Sequence, residues 1–139
     1  MLKVTQLFID ELDKREYSHR PVEQMKDGSE IVRLSFKLEN AKMTVIVVFD
    51  PNGRSVGIRC FDFIQIKENQ FPQALMCCNT LNAKKRWVKF CIDDDMDIVV
   101  ADDAVIDEVT AGEEVLELVM RMAAIIDDAY PVINKAIWA

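Results

Sequence analysis

With 139 residues, half of them hydrophobic and 29% charged, the chain fits one globular domain around a single core and excludes a disordered or low-complexity polypeptide. A net charge of −7 argues against nucleic acid and anionic membrane as partners. Four glycines and four prolines, scattered singly, leave no linker, so residues 1–139 are read as one domain.

Leu2, Val4, Leu7, Phe8 and Leu12 share one face at helical spacing, with Lys3, Asp10, Asp13 and Lys14 outside it, which predicts a first amphipathic helix. Charges at Lys3, Asp10, Glu11 and Asp13 also interrupt the apolar core that a secretory signal needs. No apolar run elsewhere approaches the ~18 residues of a membrane span, so a cytoplasmic location is expected. From Tyr17 to Glu30 the pattern weakens, and Pro21 with Gly28 suggests an extended stretch or short edge strand. Ile31 to Leu38 then alternates as a half-buried strand, turns at Glu39, Asn40 and Ala41, and returns through Lys42 to Asp50, which is apolar on both sides as a central strand is. Asp50, Pro51, Asn52 and Gly53 form a turn into a third strand from Arg54 to about Phe63.

Between Asn69 and Ala83 the period becomes helical. Phe71, Ala74, Leu75, Cys78 and Leu81 are placed inward, and Gln70, Gln73, Cys77 and Thr80 outward, with Pro72 in the first turn. Arg86 to Asp93 and Asp97 to Asp103 form a hairpin around an acidic turn. Thr110 is expected to cap the last helix in a capping box with Glu113. That helix carries Val115, Leu116, Leu118, Val119, Met122, Ile125, Ile126, Ala129, Tyr130 and Ile133, an apolar arc wider than one-sided packing on a sheet requires. The order α-β-β-β-α-β-β-α is an α+β fold, a mainly antiparallel sheet against helices.

Asn79-Thr80-Leu81-Asn82, followed by Lys89-Phe90 and an aspartate-rich turn, resembles the YbjN family, as does Asp127-Asp128-Ala129-Tyr130-Pro131 near the end. The element order is similar to that of type III secretion chaperones. The resemblance covers nearly the whole chain. It implies a bacterial regulator of sensory transduction or a chaperone-like protein, with an interaction role and no enzymatic activity, and it carries over no catalytic residue.

The residues themselves supply little chemistry. Asp93, Asp95 and Asp97 begin like a calcium loop, but Ile98 stands where glycine is needed and Ala104 where glutamate is needed, so a solvated turn is expected. One histidine and no Cys-x-x-Cys pair argue against zinc; no metal and no cofactor are expected. His19 sits in a polar segment with nothing to orient it toward Cys60, Cys77 or Cys91. The thiols are read as reduced, with Cys77 the exposed one and the other three buried. No glycine lies in a phosphate-loop context. Lys84, Lys85, Arg86 and Trp87 are read as cations at a helix end rather than a nucleic-acid patch.

Charge is unevenly spread. Residues 1–89 carry 15 Lys and Arg against 11 Asp and Glu, whereas residues 90–139 carry 2 against 13; eleven acids fall between Asp93 and Glu117 with no cation among them. Such a stretch either keeps the protein soluble or steers a basic partner. The function expected is a non-catalytic protein-interaction module, a homodimer joined through Leu118, Val119, Met122, Ile125 and Ile126 and binding a further protein of unknown identity. The competing reading is a small-ligand sensor or unfamiliar enzyme with a pocket lined by Asn79, Asn82, Trp87 and Cys91.

Overall fold

The computed structural model describes residues 1–139 and holds the α+β order expected. Helix α1 (Lys3–Lys14) leads through a two-residue strand β1 (Glu23–Gln24) to β2 (Glu30–Lys37), β3 (Lys42–Phe49) and β4 (Ser55–Gln65). A single 3-10 turn (Glu68–Gln70) opens α2 (Phe71–Lys84), and β5 (Lys89–Ile92), β6 (Asp97–Val105) and α3 (Ala111–Ile137) follow. The strands form one antiparallel sheet in the order β1-β2-β3-β4-β6-β5, so the chain crosses with α2 to the far edge and then inserts β6 between β5 and β4.

Strand alternation sets the inner face: Val32 and Leu34, Met43, Val45, Val47 and Phe49, Val56 and Ile58, and Ile98 and Val100 are all buried. Against them pack α3 and α1, with Phe8 of α1 tilted on Phe49 at 5.7 Å between ring centres. Helix α1 has no side-chain cap of its own; Glu30 of β2 supplies one by accepting the Leu2 N–H at 2.8 Å, and Gln24 Nε2 donates to its other oxygen at 3.0 Å. Burial alone would raise the Glu30 pKa, but these donors outweigh it and hold it below the usual value. No helix is long and apolar enough to cross a membrane.

The motifs that carry the family resemblance prove to be clips between elements. Pro131 lies inside α3, and its missing N–H strips the Asp127 carbonyl of its normal helical donor. Asn40, at the β2–β3 turn, replaces it: Nδ2 donates to the Asp127 carbonyl at 3.3 Å while the Asn40 N–H donates to Asp127 Oδ1 at 2.6 Å. Asn82 of α2 does the same for the sheet edge, accepting the Phe90 N–H at 2.7 Å and donating to the Phe90 carbonyl at 3.0 Å, so an amide side chain stands in for a neighbouring strand. Asp93 Oδ1 accepts the N–H groups of Asp95 (3.0 Å) and Asp97 (2.9 Å), tying the acidic hairpin turn.

Asn82→Asp keeps the acceptor for Phe90 N–H but sets a carboxylate against the Phe90 carbonyl. Urea unfolding of this variant should show a loss of about 1–3 kcal/mol.

At the start of α3 the expected capping box is replaced. Asp107 Oδ1 accepts the Val109 and Thr110 N–H groups at 2.8 Å each, and the Thr110 hydroxyl donates to Glu114 at 2.9 Å; Glu113 takes no part. The Asp107 pKa is lowered by the Thr110 and Val109 N–H bonds.

Candidate interaction surface

Three of the five residues expected at the α3 contact belong to the core. Val119, Met122 and Ile126 are fully buried within the single chain, and only Leu118 and Ile125 remain half-buried. The wide apolar arc has a local cause: α3 lies on the sheet, with α1 and α2 also packed on it, so its own subunit uses most of its circumference.

The four residues expected to line a ligand pocket do not converge. Asn79 is exposed on α2, Asn82 is committed to Phe90, and Cys91 is exposed on β5. Of the four, only Trp87 lines the largest cavity. The space between sheet and helices is filled by a continuous cluster of 34 buried residues. The exposed thiol is Cys91 and not Cys77, which is half-buried, because β5 is the last strand of the sheet and its odd positions face outward. Burial pushes Cys60 and Cys78 up to about 11, which keeps both protonated at neutral pH.

His19 bonds to Asp13 at 3.2 Å and to the Arg20 carbonyl, with no thiol among its partners. One buried acid stands apart: Asp102 faces inward on β6, its Oδ2 has no hydrogen-bond partner, and burial raises its pKa. Arg59 bonds the Asp102 carbonyl at 2.9 Å and pairs with the Asp103 carboxylate at 2.9 Å, so it makes no direct bond to the Asp102 carboxylate, although its charge, that of Lys89 and the Asp103 N–H partly offset the effect of burial.

The phase of α2 also departs from expectation. Ala74, Cys78 and Leu81 face the core, whereas Phe71 (38% exposed), Leu75 (51%) and Met76 (73%) face out. A helix apolar on nearly every side has no preferred phase from its pattern, and here the small Ala74 and Cys78 turn inward where α2 packs on β5 and α3. The outward face carries no charge: Lys84 is the first charged residue of the helix.

The core is filled, Asn82 and Asp127 serve as structural clips, and Phe71, Leu75 and Met76 stand exposed on a helix with no charge before Lys84. The chain belongs to the YbjN family, whose description reads "Putative bacterial sensory transduction regulator" and which matches residues 11–135. Its fold is similar to the crystal structure of YbjN from E. coli, titled "a putative transcription regulator", with a TM-score of 0.61 over 91% of each chain at 12% identity. No curated protein matches the chain.

Proposed function

We propose that this chain is a non-catalytic regulator that acts by holding protein, and that it pairs with a second copy of itself through α2. The observation that carries the reading is the exposure of Phe71, Leu75 and Met76 on a helix that holds no charged residue before Lys84. Copies of a chain at −7 repel one another, so contact costs least where the surface carries no charge. A 14-residue helix is about 21 Å long, enough to form the centre of a two-fold contact. Large, exposed aromatic and methionine side chains are the types enriched at such centres.

Light scattering at low micromolar concentration should give a dimer mass, and Leu75→Asp with Met76→Asp should give a monomer with unchanged circular dichroism. A wild-type monomer at that concentration would defeat the self-association claim. The regulatory assignment rests on family membership and would need a reproducible protein partner from the native cell.

A further inference from the structure

The largest cavity, about 550 Å³, opens where the end of α1, the loop before β5, the strand β6 and the first half of α3 meet. Its apolar surface comes from Ala104, Leu118 and the ring of Trp87. Trp87 is held half-exposed at φ 77°, a left-handed conformation that costs a bulky residue roughly 1 kcal/mol or more and that chain folding alone does not favour. The guanidinium groups of Arg86 and Arg121 each stand 4.9 Å from its ring centre and fix its orientation.

Charge decides what fits there. Of the cations at the cavity, Arg121 is matched by Glu117 at 3.0 Å and Arg15 by Glu11 at 2.8 Å, while Arg86 rests on the Trp87 ring without a carboxylate partner. Glu113 and Glu114, also on the lining, have no cationic partner. Four of the eight lining residues, Ala104, Glu113, Glu114 and Glu117, come from the stretch between Asp93 and Glu117, which holds eleven acids and no Lys or Arg.

We propose that this groove is a docking site for a basic segment of a partner protein that carries apolar side chains. Those side chains sit against Trp87, Leu118 and Ala104, and its Lys or Arg residues pair with Glu113 and Glu114. The acidic stretch around the groove raises the local concentration of such a segment and speeds encounter. The site is separate from the α2 face and does not depend on self-association.

The test uses the full chain with Trp138→Phe, which leaves Trp87 as the single tryptophan emitter. The probes are two peptides of about ten residues, one alternating arginine with leucine and one alternating glutamate with leucine. The arginine peptide should shift Trp87 emission saturably and the glutamate peptide should not. Glu113→Gln with Glu114→Gln should weaken the arginine peptide about fivefold at low salt, while Asp94→Asn with Asp95→Asn, which removes the same charge from the distant hairpin turn, should leave it unchanged.

Circular dichroism should be the same for all variants, since the four acids are exposed. An equal response to both peptides, no response to the arginine peptide, or equal weakening by the two double variants would each overturn the proposal.

Discussion

Replacing Val119 and Ile126 together with aspartate should unfold the protein rather than release folded monomers. Both side chains are fully buried, in a core where α3 lies under the sheet and beside α1 and α2. An unpaired carboxylate there costs about 4 kcal/mol or more per site, through lost packing and through desolvation that no partner offsets. Two such costs reach the whole stability of an ordinary domain, about 5–15 kcal/mol. The check is far-UV circular dichroism of refolded material at neutral pH, with the Leu75→Asp and Met76→Asp variant as the folded control. A soluble, fully helical double variant would place this side of α3 at a surface.

Gly112→Ala should destabilise by about 3 kcal/mol, although alanine is the better helix former by about 1 kcal/mol. Gly112 sits in the first turn of α3 where α1 crosses closest. A methyl group there meets the carbonyl group of Leu7, with its carbon at 2.9 Å, and backbone has no rotamer through which to retreat. The two helices would have to separate, and with them the contacts of Phe8 and Leu12. The urea midpoint should fall with little change in slope. A midpoint that rises, as helix propensity alone predicts, would show that α1 and α3 do not depend on this approach.

Strand periodicity made most of the sheet readable. Val32, Leu34 and Phe36 alternate against Arg33, Ser35 and Lys37, and a one-residue slip would turn the apolar set to solvent, so pattern and register are coupled. The Asp50-Pro51-Asn52-Gly53 turn was equally plain, because Gly53 adopts φ 69° where a side chain would be strained. Helix packing was less legible. The width of the apolar arc on α3 was visible, but whether a second copy or α1 and α2 cover it depends on contacts between distant segments, which no local period encodes.

The candidate site was missed for a related reason. On α2, Phe71 and Leu75 look like core residues by type; only the close approach of the helix to β5 and α3 assigns the inside to Ala74 and Cys78. Trp87 was singled out, yet the glutamates that share its cavity lie about 26 to 30 residues further along the chain. The Asn82 and Asp127–Pro131 motifs were visible as patterns, and their role as clips emerged only with Phe90 and Asn40 beside them.

The Asn82 clip has a bearing on how partners can be recognised. At one end of the sheet the outward amide and carbonyl of Phe90 are already taken, and at the other end the terminal strand is only two residues long. Strand addition is therefore hindered at the β5 edge, whereas at the other end β1 pairs only with Glu30 and Ile31 and leaves most of β2 as the open edge of the sheet. An extended segment that adds to this sheet has one edge to choose, and Arg33, Ser35 and Lys37 are the side chains it would meet between the inward ones.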